Sequence, residues 1–541
     1  MAAARGSPSP RVALAFVAAA TLGVLPGVAA ATTFKVNNTA DRHDFNTADP
    51  FCDSNPNKQG RQCTLRAGVE QTNAQPGRDR LLLTARTFAI KPDVGFGQLT
   101  VSDDLLVDGT SSAKTVIRLG APSSRIFEVG VGARLDLRDA TVRDGVVADS
   151  GGGIRNLGTL ILRRSRVLAN EAFANPGGGI YAAGPTTIID SQIGGPKAGH
   201  ANHAAEGGGI YHAPGGGGLD VRDSVVRRNV ADSASIVPVG GGITAWFTDL
   251  EVVGSEIRGN VARYTGPPLG GQAYGGGVFA TDGAVAVRGS LVAGNRVEGG
   301  FSSGGGINVW DGALTVAGST IRANTGSADA SGGGISYGFA PAAELRVLRS
   351  TLSQNSVGAN GVGGGILIRE GDGELENVTT SRNEAGGFSG GADVLVLDAS
   401  LDANHLTLSA TDPQALSAFS TGNPGTTDAA ITLRASVLTG RSQPVCAVNG
   451  SGGTSPSITS SGFNVARGTT CNLNLATDRQ GVNPRLAPLA SNGGPTQTHA
   501  LRTGSSAINR VAKAACPPPV RDQRGVMRPR GKRCDAGAYE R

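Results

Sequence analysis

The sequence predicts an all-β protein, a right-handed parallel β-helix (solenoid) with disulfide-closed N- and C-terminal caps, and three observations carry that expectation. A Gly-Gly-Gly-aliphatic cluster recurs about every thirty residues. Between the clusters runs a stricter pattern of aliphatics, Ser and Asn. Six cysteines lie outside the repeats as three sequence-local pairs.

The clusters begin at Gly151, Gly177, Gly207, Gly240, Gly275, Gly304, Gly332 and Gly363, with a degraded ninth copy at Gly390-Gly391-Ala392. A period of this size marks solenoids and arrays, whose units bury their apolar face only against their neighbours. About nine coils follow from the count. Glycines at such density fit corners that need φ > 0 or close backbone approach, and they exclude a helical solenoid, where each would cost about 1 kcal/mol. Blades of a propeller require longer units.

The second pattern places two aliphatics two apart, then Ser, an aliphatic and Asn. Among the units that fit without insertion are Leu250/Val252/Ser255/Ile257/Asn260, Val285/Val287/Ser290/Val292/Asn295 and Leu314/Val316/Ser319/Ile321/Asn324. Another, Ile188/Ser191/Ile193, has Pro196 where Asn would fall, and the copy after Gly363 slips and ends at Asn383. Spacing two is strand periodicity, so each unit reads as three short strands separated by corners. Stacked in register at ~4.8 Å, equivalent residues form columns along the axis, with aliphatics inside. An Asn column then has a structural purpose, because stacked amides hydrogen-bond to one another. Length varies mainly between Asn and the next glycines, as in 261–274 and 325–331, where surface loops are expected to carry any binding determinants.

The remaining segments follow in order. Residues 1–30 read as an export leader: Arg5 and Arg11 precede an apolar run from Val12 to Leu25, and Val28-Ala29-Ala30 offers a small-residue cleavage site near Ala30. The run is short for a spanning helix, and no later stretch is apolar enough, so no transmembrane segment is expected in the mature chain. The division is a cap over 31–90, β-helix repeats over 91–400, irregular C-terminal coils over 401–490 and a terminal motif over 491–541. In an exported chain the pairs Cys52/Cys63, Cys446/Cys471 and Cys516/Cys534 read as disulfides, and no CxxC or neighbouring His supports zinc.

Two end segments carry a family resemblance. Thr33 to Ala74, through Asp41, Cys52, Cys63, Leu65, Arg66 and Asn73-Ala74, resembles the CSLREA domain at the head of bacterial secreted β-helix proteins, with Thr64 and Ala67 departing from its motif. Asn492-Gly-Gly-Pro-Thr-Gln-Thr-His-Ala-Leu501, Asp522-Gln-Arg-Gly525, Arg528-Pro529 and Cys534 to Glu540 resemble the choice-of-anchor Q domain, and the repeats resemble pectate-lyase-like coils. What the resemblance implies is an exported bacterial β-helix, often tethered to the envelope. The sequence stops at Arg541 without a sorting tail, so release or loose association is the expectation. Physically, both segments suit covers for an apolar bore, and Thr64 to Ala74 fits a short amphipathic helix through Leu65 and Val69.

Candidate chemistry falls at the four positions after each cluster's aliphatic. Asp282 and Asp311 share the fourth position on consecutive coils, as catalytic carboxylates for glycosidic bonds do, with Arg155 or Arg369 as companions on that face. The Asp-Gly dipeptides equally read as turns. Aromatics collect in the same window of a chain that is only 4% aromatic: Tyr181, Tyr211, Trp246, Phe279 and Trp310, with Phe247, Tyr337 and Phe339. Trp246 and Trp310 occupy equivalent third positions two coils apart, about 10 Å, a spacing suited to stacking on a sugar chain. Filling of the core is the other reading. His200, His203 and His212 read as loop residues rather than a metal cluster, and neither metal nor cofactor is expected.

A formal net charge of +6 favours an acidic polysaccharide or an anionic cell surface as partner. Much of the excess is in the stretch from Arg521 to Arg541, read as a solvated cap face. No nucleic-acid module is present. The leading expectation is a monomeric, secreted or cell-surface-associated β-helix that binds glycan or envelope components without catalysis. The alternatives are a polysaccharide lyase or glycoside hydrolase, and a structural spacer or adhesin stalk.

Overall fold

The computed structural model describes residues 31–91, 97–120, 123–267, 271–387, 390–516 and 518–541; the export leader expected over 1–30 lies outside them. The chain winds as a parallel β-helix. One sheet holds fourteen strands, one per turn, from Thr87–Ile90 to Val465–Ala466, so the coil makes about thirteen turns. That exceeds the nine counted from glycine clusters, because coils at both ends, such as those of Phe127–Val129 and Cys446–Gly450, have no glycine triplet.

Each coil has three main faces. The first is built from strands that follow the glycines, the second from the paired-aliphatic strands, and the third from the Ser-x-aliphatic strands. First and second faces join into one sheet of 26 strands, since Ile335–Leu348 and Ile366–Glu376 run continuously around the corner between them. A fourth face, formed by a seven-stranded sheet from Val146–Val147 to Thr325–Gly326, occupies the segment after Asn that the sequence reads only as loop.

The register is that expected of stacked columns. Val252, Val287, Val316, Val347 and Leu375 are successive partners on the second face, and all are fully buried. Along the corner before the third face, each Ser backbone N–H donates to the next Ser Oγ, from Ser165 through Ser191, Ser224, Ser255, Ser290 and Ser319 to Ser350, at 3.0–3.1 Å.

Asn forms the parallel column. From Asn170 through Asn202, Asn229, Asn260, Asn295, Asn324 and Asn355 to Asn383, every Nδ2 donates to the next Oδ1 at 2.9–3.0 Å. Asn202 fills the place the sequence reading assigns to Pro196: an inserted loop, including the short 3-10 turn Ala198–His200, delays the Asn without breaking the column. The column ends on Asp393, whose Oδ1 accepts from Asn383 at 2.6 Å.

The glycines are explained by the same contacts. At Gly275-Gly276-Gly277 the first is left-handed at φ 63°, while a Cβ on the second would meet the Arg296 carbonyl oxygen. A Cβ on the third would sit 2.5 Å from the Gly306 oxygen and 2.9 Å from Asn295 Nδ2. Gly and Asn therefore recur together: the glycine backbone is the wall against which the amides stack.

Both ends are closed. At the head, α1 (Leu65–Ala74), capped by Thr64 accepting from the Ala67 N–H, buries Leu65 and Val69 over the first coils. The resemblance-bearing residues have direct structural work. Arg66 forms a buried pair with Asp41 at 2.8 Å, and Asn73 bonds the Thr100 carbonyl and Ser102 N–H at a strand end. The three expected disulfides pair Cys52 with Cys63, Cys446 with Cys471 and Cys516 with Cys534. Cys471 and Leu473 join the core at the far end.

Beyond that closure the chain turns back and lies along the third face. Gln523 bridges Thr351 and Thr379, Thr407 Oγ1 accepts from the Ala538 N–H, and His499 meets Ser381 at 3.0 Å. The stretch from Arg521 to Arg541 is consequently not a solvated face throughout. Arg528 is buried, pairs with Glu540 at 2.9 Å and reaches Asn377 Oδ1 on the coil. Among the described residues, no helix is long and apolar enough to cross a membrane.

Candidate functional site

On the first face the side chains alternate. The aliphatic after each glycine triplet points into the bore, the next residue out, the next in, and the third out. Tyr337, two after its aliphatic, is accordingly buried in the bore, and burial pushes its hydroxyl well up from the usual range. Trp246 and Trp310, three after theirs, project outward and are half-buried, so the core-filling reading does not apply to them.

Register orders the outward residues into two rows. The inner row runs Tyr181, Tyr211, Thr244, Phe279, Asn308, Ser336 and Leu367. The outer row runs Trp246, Thr281, Trp310, Gly338 and Arg369. Trp246 packs edge-on to Phe279 at 5.2 Å, Phe279 to Trp310 at 5.4 Å, and Trp310 to Phe339 at 6.2 Å. Tyr181 and Tyr211 stack at 5.6 Å further up the inner row, separated from Phe279 by Thr244.

Between Trp310 and Arg369 the outer row has Gly338, and the missing side chain opens a groove of about 310 Å³. Its other wall comes from loops preceding the glycines. Tyr274, Ser303 and Ser331 stack from coil to coil there, and Gln272, Phe301 and Asp329 stand above them. Tyr274 packs edge-on to Trp310 at 4.4 Å, while Phe301 is 64% exposed at the lip. Arg369 lies over the Phe339 ring at 5.6 Å.

The groove is polar as well as aromatic. Gln272, Ser303, Asp329 and Ser336 line it, together with Ser302 and Arg369, whose Oγ and Nε are buried without a protein partner; Asn308 of the inner row, which does not line it, donates to Ser303 at 2.5 Å. Trp246 Nε1 is likewise buried without a protein partner. The amide, hydroxyl, carboxylate and guanidinium groups of the residues lining the groove offer a polar ligand hydrogen-bond partners beside the rings. Sequence reasoning missed Phe301 and Asp329 because they come from loops of variable length, and missed Tyr274 because it precedes the glycine triplet, outside the four positions after the aliphatic where site residues were expected.

Asp282 and Asp311 occupy the corner beside the outer row. Both are left-handed, at φ 56° and 50°, in a column shared with Phe247, Phe339, Glu370 and Asp398. Asp tolerates that conformation better than most residues, which accounts for the Asp-Gly pairs as turns. Thr281 Oγ1 donates to Asp282 at 2.5 Å, and burial, with the neighbouring Asp282 charge, shifts the Asp311 carboxyl upward from its ordinary value. Neither carboxylate lines the groove. Arg155 is the in-register neighbour of Tyr181 at the head of the inner row and is engaged by Glu128 at 3.4 Å and Asp149 at 3.8 Å; of the two arginines only Arg369 lines the groove.

The three histidines do not converge: His212 is buried, His203 faces Asp232 at 3.5 Å, and His200 lies in its own 3-10 turn. Among the described residues no group of three His, Cys, Asp or Glu side chains is placed to hold a metal.

No family model matches the chain, and no curated protein does. Among solved structures it is similar to pectate lyase Pel9A, at TM-score 0.30 and 15% identity over 95% of this chain and 98% of the other. It is similar also to the A-module of Azotobacter vinelandii mannuronan C-5 epimerase AlgE4, at TM-score 0.30 and 12% identity over 77% of this chain and 94% of that one. Likeness at that level adds nothing to the fold established by the strand register.

Proposed function

We propose that the chain binds glycan, without turning it over, in the groove between Trp310 and Arg369 and along the aromatic row that extends from it to Trp246. The observation that carries this reading is the outward placement of both tryptophans, in register two coils apart, with Trp310 on a groove lined also by Gln272, Ser303, Asp329 and Arg369. A pyranose offers apolar C–H faces and a rim of hydroxyls, and such a site offers rings for the former and donors and acceptors for the latter. Arg369 and Asp329 at the groove favour a ligand with hydroxyl or charged substituents. We further propose an exported, monomeric protein displayed at or released from the cell surface, with ends of the CSLREA and choice-of-anchor Q types. The leader motif, the three disulfides and the structural tasks of Asp41, Arg66, Asn73, His499 and Gln523 support that part.

One observation favours a second reading, a polysaccharide lyase or glycoside hydrolase: the raised Asp311 beside Asp282 is the electrostatic arrangement of an acid and its partner carboxylate. A panel of neutral and acidic polysaccharides separates the two. Binding without new reducing ends or unsaturated products, lost in the Trp246→Ala/Trp310→Ala variant, is the expected result. Product formation abolished by Asp311→Asn overturns it.

A further inference from the structure

The returning C-terminal segment encloses a second concavity, on the third face rather than the first. Strands Leu486–Ala490 and Thr498–Leu501 form an antiparallel hairpin, pairing Leu489 with His499. Between this hairpin and the coil strands Thr407–Ala410 and Val437–Gly440 is a cleft of about 610 Å³. Arg382, Arg441 and Arg467 enter it from the coil, and Arg485 and Arg502 from the hairpin. No carboxylate lines it.

These five arginines differ from most others in the molecule. Elsewhere on the coil, Arg138 pairs with Asp136 at 2.6 Å, Arg222 with Asp220 at 2.8 Å, Arg263 with Asp232 at 3.0 Å and Arg346 with Glu374 at 2.7 Å. Among the described residues, none of the five cleft guanidiniums has a carboxylate within 4.0 Å or a side-chain hydrogen bond to the protein. Five like charges converging on one concave surface repel one another, and an anion seated among them relieves that repulsion while meeting planar donors suited to bidentate contact.

We propose that this cleft binds a stretch of anionic polysaccharide through its carboxylate or sulfate groups, independently of the aromatic groove. Hydroxyl groups of Ser409, Thr411, Thr439 and Thr503 line the cleft between the arginines, and Thr411 Oγ1 is buried without a partner, a setting suited to sugar hydroxyls. Nucleic acid is disfavoured because no Phe, Tyr or Trp lines the cleft to stack a base. A membrane surface is disfavoured because the arginines face one another across a hollow instead of sharing a plane.

The test uses the full chain with short probes: a sulfated heparin-type oligosaccharide, an oligogalacturonate, a neutral dextran oligosaccharide and single-stranded DNA. Either or both anionic sugars are expected to bind, with affinity falling about tenfold or more between about 50 and 300 mM salt, and the neutral sugar is expected not to bind at this cleft. Arg441→Ala/Arg485→Ala, two exposed side chains without partners, is expected to weaken that binding at least about tenfold with the unfolding midpoint unchanged. Arg288→Ala, on the second face, serves as the charge control and is expected to change nothing. Retention of this binding in Trp246→Ala/Trp310→Ala separates the cleft from the groove. No binding by either anionic sugar, equal affinity in the arginine variant, or tighter binding of the DNA overturns the proposal.

Discussion

Of the columns that run along this molecule, two are built to opposite rules. The Asn column is buried throughout, has a member on every coil from Asn170 to Asn383 and leaves no amide hydrogen unused in its interior: Asn295, for instance, receives the Asn260 N–H and Nδ2 and donates to Ile257 O and Asn324 Oδ1. The aromatic row is interrupted. Thr281 separates Trp246 from Trp310, Gly338 separates Trp310 from Arg369, and unpaired polar atoms remain beside it. Repetition with saturation stabilises the coil; repetition with gaps leaves room for something else. Stacking alone therefore does not distinguish scaffold from site, whereas hydrogen-bond completeness does.

Breaking the first column tests this most severely. Asn295→Ala removes four buried hydrogen bonds and strands the groups they joined, so a loss of about 3 kcal/mol or more is expected in denaturant unfolding. Trp246→Ala, on the outer surface, is expected to cost less than about half as much. Equal losses would erase the distinction. Next comes the wall of the column: Gly277→Ala, whose Cβ would lie 2.5 Å from the Gly306 oxygen, is expected to cost about 2 kcal/mol, measured the same way.

The end of the column responds to pH. Asp393 is fully buried, and desolvation pushes its carboxyl up to about 7. An acid whose folded pKa lies above its unfolded value binds more protons when folded, so its contribution is full below the unfolded value of 3.8 and is lost as pH rises toward 7. Stability is expected to decline over that window, and Asp393→Asn, which keeps an acceptor for Asn383, is expected to flatten the decline. A wild-type profile with the opposite slope would remove Asp393 from the account. The smallest effect is reserved for the corner: Asp311→Asn, in a left-handed position that Asn also tolerates, is expected to shift stability by less than about 0.5 kcal/mol and to leave glycan affinity unaltered.

How much of this was legible in the sequence depended on whether a residue belongs to the repeat. Val252, Ser255 and Asn260 recur at fixed spacing because each must meet its counterpart one coil away, and their columns were readable at once. Trp246 and Trp310 were readable as equivalent positions for the same reason, but whether they faced a groove or filled the core stayed open until the register placed them three residues after a buried aliphatic and therefore outward. Asn202 was hidden by an insertion and Phe301 by a loop whose length changes from coil to coil, while Tyr274 keeps its place before the glycines but has Ser303 and Ser331, not aromatics, as its counterparts. The lateral docking of Gln523, His499 and Arg528 left no periodic trace, since it joins residues more than a hundred positions apart. The arginine cleft was invisible for that reason too: Arg382 and Arg502 become neighbours only when the chain turns back.

The chain's two tryptophans both lie in the outer row, so intrinsic fluorescence reports on the proposed glycan site without any label. Titration of the full chain with the polysaccharide panel is predicted to give a saturable change in emission with at least one glycan, at least about tenfold weaker when Phe339→Ala opens the groove beside Trp310. Emission that stays constant across the whole panel, or a change indifferent to that substitution, would contradict the assignment of the row as a binding surface.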